Sequence, residues 1–216
     1  MGKIRIPNYS LSEELINAIS HGIGAALSIA GLVLLIVKSA NQHNGYALAA
    51  SIVYGISLIL LYTISCVYHS LSPKLKAKKV LRVIDHCNVF LLVAGTFTPV
   101  CLVVLNGVNG WILFSIIWTV TLVGIILNSI NVDKFNMASV VCHLLAGWSM
   151  LFMINPLMNN FNKMGLIFLV IGGLCYSVGA LLYGIGAKKK YFHSVFHFFC
   201  LAGSIFHFFM IFSFIL

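Results

Sequence analysis
Two histidines one helical turn apart open the last apolar segment. In Tyr191-Phe192-His193-Ser194-Val195-Phe196-His197 both imidazoles point the same way on a helix. That spacing makes a pair of metal-ligand positions. Cys200, Ser204 and, further round, His207 continue the same stripe, whereas Phe198, Phe199, Phe206 and Phe209 fall on the opposite side. In water such a helix would be inside out.

The composition identifies the solvent as lipid. Mean hydropathy is +1.05, with 61% hydrophobic and 8% charged residues. These values describe an all-α integral membrane protein, in which the greasy side faces outward and the polar stripe faces the bundle. The chain of 216 residues has no polar insert long enough for a soluble domain. One membrane domain over 1–216 is therefore expected, with a short amino-terminal segment over 1–18 that lacks the pattern of a cleavable signal. Six cysteines without a CxxC pair give neither a disulfide framework nor a thiolate zinc knuckle.

Apolar runs long enough to cross the hydrocarbon lie at roughly 19–38, 46–69, 83–105, 110–130, 136–155, 164–186 and 192–215, which predicts a seven-transmembrane helix bundle. The fourth and fifth would be joined by a short loop over Asn131 to Phe135. The net charge of +9 sits at span ends, so it reports topology and anionic headgroups, not nucleic acid. Lys3, Arg5, Lys74, Lys76, Lys78, Lys79, Arg82, Lys134 and Lys188 to Lys190 fall on one side. Only Lys38 and Lys163 fall on the other. This bias places the amino terminus in the cytoplasm and the carboxyl terminus outside. The lysines after His69 are expected to meet headgroups, and Trp111, Trp118 and Trp148 to act in part as interfacial anchors. Pro99 should kink the third span, and Ala180-x-x-x-Gly184 is a small-residue pair suited to close helix approach.

The same topology brings four candidate groups from three segments to one depth. The second span descends to the cytoplasmic face through Ser65 and ends at His69, while the third leaves that face through Asp85. Together with His193 and His197 they supply three imidazoles and a carboxylate. Three histidines with a fourth position left to water are the donor set of catalytic Zn²⁺. His69, His193 and His197 are assigned as ligands, Asp85 as the residue that holds or deprotonates the activated water, and Ser65 as a hydrogen-bonding partner to it. Water activated at headgroup depth implies hydrolysis of a lipid amide or ester, with membrane lipids as partners. No oligomeric interface is legible in the sequence.

Five histidines remain. His207 lies ten residues past His197, roughly 15 Å deeper, and reads as an interhelical hydrogen bond or a cavity group. His143 and His86 read as structural, with His86 the nearest substitute ligand, and His21 is expected to pair with Glu13 or Glu14. His43 enters no constellation.

Taken together, Glu13-Glu14 and Ser20-His21-Gly22-Ile23-Gly24, Ser65-x-x-x-His69 with Tyr68, Asp85 followed by Gly95-Thr96-Phe97-Thr98-Pro99, and His193-x-x-x-His197 with His207 resemble the bacterial hemolysin III family. That family groups with the progestin and adipoQ receptors and, more distantly, with alkaline ceramidases. The resemblance implies seven helices, zinc on His69, His193 and His197, and Asp85 and Ser65 at the site. It also implies an inner (plasma) membrane location and a role in lipid homeostasis. Two further readings come with it: a pore-forming cytolysin, and a lipid-sensing receptor in which zinc is structural.

Overall fold
Every backbone polar group in lipid must be satisfied within its own segment, so long apolar runs wind into helices. The computed structural model describes residues 4–186 and 189–216, so the basic residues Lys3 and Lys188 lie outside the described residues. The elements are α1 (Leu11–Ala40), α2 (Gly45–Ser70), α3 (Lys76–Pro99), α4 (Gly107–Trp148), α5 (Ile154–Asn160), α6 (Lys163–Gly186) and α7 (Phe192–Phe214), with no strand among the described residues. Six helices are long and apolar enough to cross a membrane, the fourth of them running on from Gly107 through Asn160.

The expected loop between the fourth and fifth spans is absent, and a single residue replaces it. Asn131 leaves helical geometry (φ −161°, ψ 93°), and its Oδ1 accepts the Lys134 N–H at 3.0 Å, which starts the next turn. Ser139 Oγ donates to Asn128 Oδ1 at 2.7 Å. Eleven residues of straight helix would separate those groups by roughly 16 Å. The chain therefore reverses at Asn131, and the two limbs of α4 run side by side.

Pro99 has no N–H to give the helix, and the winding after it widens to i→i+5 over Val100–Leu105 before closing on Asn106. The start of α4 crosses this widened turn at Gly110, where a Cβ would stand 2.1 Å from the Cys101 carbonyl oxygen. Only glycine admits that approach. On α6 the close contacts are at Gly172, against His207, and at Gly179, against Phe196 and Phe199. Of the expected small-residue pair, Ala180 is half-buried, and Gly184 meets nothing because it is exposed.

The helix faces sort as lipid demands. Val195, Phe198, Ile205 and Phe209 of α7 are exposed, whereas His193, His197, Cys200, Ser204 and His207 are buried. Trp118 and Trp148 are interhelical donors, to Thr98 Oγ1 (3.3 Å) and Ser177 Oγ (3.0 Å), and Trp111 alone of the three is exposed. One end of the bundle collects the basic segments. Asp133, just past the reversal, accepts from the Arg82 guanidinium at 2.6 Å and from the Arg5 amide at 2.9 Å. Lys38 lies at the opposite end, donating to the Phe212 carbonyl. Lys74, Lys76 and Lys79 are exposed, as headgroup-facing lysines should be, but Lys78 and Arg82 are buried in ion pairs.

Candidate metal centre
Three elements deliver the histidine trio. α7 begins just after Tyr191, a left-handed residue (φ 65°) whose N–H donates to Glu13 Oε1 at 2.8 Å. Glu13 is also the reciprocal partner of Ser10 in the capping box of α1, so one carboxylate ties the start of α1 to the start of α7. The first turns of α7 then place His193 and His197 inward, and α2 ends by presenting His69 to them. One ring nitrogen from each lies within 4.8 Å of the others, and all three residues are buried. His193 Nε2 and His197 Nε2 are 3.1 Å apart. Two nitrogens on one tetrahedral zinc stand about 3.3 Å apart, so the pair is set at ligand spacing.

His69 is oriented from behind. Its Nδ1–H donates to Glu14 Oε2 at 2.6 Å, leaving a buried Nε2 with no hydrogen-bond partner in the protein. A carboxylate on the far nitrogen fixes the tautomer and raises the basicity of the ligating one. The second Glu14 oxygen takes the Lys78 ammonium at 2.6 Å; Lys78 is 0% exposed, also donates to the Leu71 carbonyl at 2.8 Å, and lies over the Tyr68 ring. The buried charge is thus paired on every side. Tyr9, from the segment before α1, stacks on His193 (centroids 4.8 Å apart, 16° between planes). Burial, then neighbouring Tyr68 and Tyr183, holds its phenol above the ordinary range, so it covers the site as a neutral ring.

His193 and His197 form part of the wall of a cavity of about 170 Å³, and His69 stands behind them. Ser65 and Asp85 line the same cavity, side by side. From there it runs between apolar walls, past Phe97, Trp148, Met150 and Leu169, as deep as His207. Beyond that end the bundle is filled by Leu35, Leu105, Leu157, Phe161, Met210 and Ile211.

The other histidines fall as follows. His207 Nε2 meets the Leu169 carbonyl oxygen at 3.1 Å, the interhelical bond expected of it. His86 and His143 line the cavity apart from the trio, His143 against Phe90 with centroids 3.8 Å apart. His21 pairs with neither Glu13 nor Glu14. Those carboxylates hold Tyr191 and His69 instead, and His21 stacks on His197. The stripe Glu14, Asn17, His21 on α1 is the part of the site that sequence reasoning missed. Its signal was present, since polar residues at i, i+3 and i+7 on an otherwise apolar helix share one face.

The donor set suits zinc: three buried imidazoles, a carboxylate behind one of them, and a bare nitrogen facing the others. The outer surface of the helices is apolar, from Ile23 and Val33 on α1 to Phe209 on α7.

A family profile described as haemolysin-III related matches residues 9–208. The chain is 40% identical over 206 residues to "Hemolysin-3" of Bacillus cereus, covering 95% of this chain and 93% of that one. It is 38% identical over 203 residues to "Hemolysin-3 homolog" of Bacillus subtilis (strain 168), covering 94% of each. At 25% identity over 166 residues, 74% of this chain and 67% of the relative, it is similar to the human "Monocyte to macrophage differentiation factor". With its six apolar helices it is a multi-pass plasma-membrane protein. A profile match over nearly the whole chain, joined to two relatives near 40% identity, means that the chain belongs to the haemolysin-III related family.

Proposed function
We propose that the chain is a zinc-dependent membrane hydrolase that cleaves a lipid amide or ester near the cytoplasmic face, in the service of membrane lipid homeostasis. The observation that carries this reading is the convergence of His69, His193 and His197 at the polar head of a cavity whose remaining length is apolar. Zinc on three imidazoles supplies Lewis acidity and activates water at neutral pH. Of the chain's own groups, Asp85 would take the proton of the attacking water and pass it to the leaving nitrogen or oxygen. Ser65 would orient the carboxylate or donate to the developing oxyanion. The walls from Phe97 to Leu169 would hold the acyl chain and keep bulk water out.

The same reading counts seven crossings, because the reversal at Asn131 divides α4 into two limbs. It puts the end bearing Arg5, Arg82, Lys134 and the metal centre in the cytoplasm, and the carboxyl terminus outside. The names of the two Bacillus relatives point instead to cytolysis. A pore would need a path through the bundle, and the packed residues beyond His207 favour a blind acyl pocket.

The test is fatty-acid release by the protein reconstituted in vesicles that carry N-acyl and O-acyl lipids. Release that stops on chelation and returns with zinc is expected. Zinc-loaded protein that cleaves neither class would overturn the hydrolase reading.

A further inference from the structure
His21 is buried, 4% exposed, in the wall of the cavity, and neither ring nitrogen makes a hydrogen bond to the protein. The His197 carbonyl is near but out of hydrogen-bonding geometry. A neutral imidazole carries one donor and one acceptor, and leaving both unpaired in a low-dielectric interior opposes folding. Tyr62 and Tyr176 each meet Ser204 Oγ at 2.6 Å, and His207 meets the Leu169 carbonyl through one nitrogen while its Nδ1 stays bare, as does His143 Nε2. Among the described residues His21 stands out because both of its ring nitrogens, not one, are buried without a partner.

Its orientation says what it is for. The ring lies on that of His197, with centroids 3.8 Å apart and 26° between planes, and Tyr62 closes on it edge-first at 5.0 Å. Tyr62 comes that close because position 24 is glycine; a Cβ there would stand 2.6 Å from the tyrosine ring. His21 lies face to face on His197 and is not among the three histidines whose ring nitrogens cluster within ligand reach. His21 is therefore not a fourth ligand. Its ring lines the cavity beside the trio, and both of its nitrogens lack a protein partner.

We infer that His21 is a catalytic residue that binds the acyl carbonyl: its N–H donates to the carbonyl oxygen of a lipid whose chain runs down the cavity toward His207. This rests on the reading of the cavity as an acyl-lipid site. As water adds to the carbonyl carbon, that oxygen gains negative charge and the hydrogen bond strengthens. The C–N or C–O bond then breaks and the leaving atom takes the proton from the water, while His21 keeps its own.

The test uses a carbonyl probe that cannot be hydrolysed, 2-octadecanone, beside octadecane, a chain of equal length, in competition with a fluorescent alkyl probe on the full-length protein in nanodiscs. Wild type should prefer the ketone by about tenfold, the value of one buried neutral hydrogen bond. His21→Phe should lose that preference, His21→Gln should recover part of it, and the zinc content should be unchanged in both. In wild type carrying ¹⁵N-labelled histidine, with the His21 signal assigned through His21→Gln, the ketone but not the alkane should shift that signal. This second readout decides the matter even if His21→Phe does not fold. A ketone preference that survives His21→Phe, a wild type with no preference, or an unshifted His21 signal would each overturn the proposal. Neither readout needs turnover, so a His21-dependent preference in a protein that releases no fatty acid would separate failure of the hydrolase reading from failure of this one.

Discussion

Asp85→Asn should keep about one zinc per chain and lower hydrolysis of an acyl lipid by at least about a hundredfold. The substitution changes one oxygen for an NH₂ in a side chain of the same shape, so packing in the cavity wall should survive. Asp85 lies outside the histidine trio, which leaves the metal's donors intact. What the amide lacks is basicity. Asn can still receive a hydrogen bond from Ser65, but it cannot accept the proton of the attacking water, and general acid–base residues typically contribute about 10²–10⁴-fold. Turnover and metal content measured on one preparation separate the two roles. Unchanged turnover would remove Asp85 from the chemistry, and loss of zinc would make it a metal-supporting group.

Glu14→Gln should weaken zinc binding by about 10–100-fold and also destabilise the bundle. The first effect follows from the 2.6 Å bond to His69 Nδ1: a neutral amide no longer polarises the imidazole, and changing the hydrogen-bond partner behind a metal ligand carries that magnitude. The second follows from Lys78, which is 0% exposed and would lose its only paired carboxylate, keeping neutral acceptors such as the Leu71 carbonyl and the Tyr68 ring. Removing one member of a buried pair costs about 3–5 kcal/mol. The figure should fall toward the lower end here, because the Glu14 side chain is 13% exposed. The double variant Glu14→Gln, Lys78→Met distinguishes the two effects. It should recover thermal stability while the zinc affinity stays low; recovery of both would show that Glu14 serves packing alone.

The trio was legible because two independent signals agreed on it. Spacing put His193 and His197 on one face, and the charge bias put His69 at their depth. The helical bundle was legible from hydropathy for the same reason that it forms, since backbone in lipid has no other way to satisfy itself. The boundary between the fourth and fifth runs was not. A loop was expected over the five residues from Asn131 to Phe135, but one asparagine capping the next turn suffices, and capping is invisible to hydropathy. His21 was expected to pair with Glu13 or Glu14, and the nearer of these, Glu14, lies seven residues away on the same helix. That distance is roughly 10 Å along the helix, beyond a glutamate's reach, and the nearer partner came from another helix. Lys78 and Arg82 were likewise counted with a basic loop, although a single helical turn carries them inside, where acidic partners wait.

The central claim is that three buried histidines hold a metal, and the most direct measurement is the metal content of purified wild type beside His193→Ala, His197→Ala, with both proteins checked for fold by circular dichroism. The account predicts about one zinc per wild-type chain and none in the double variant. Folded wild-type protein that purifies from zinc-replete cells without zinc, or a double variant that keeps it, would contradict the account and leave the trio as interhelical hydrogen-bonding groups.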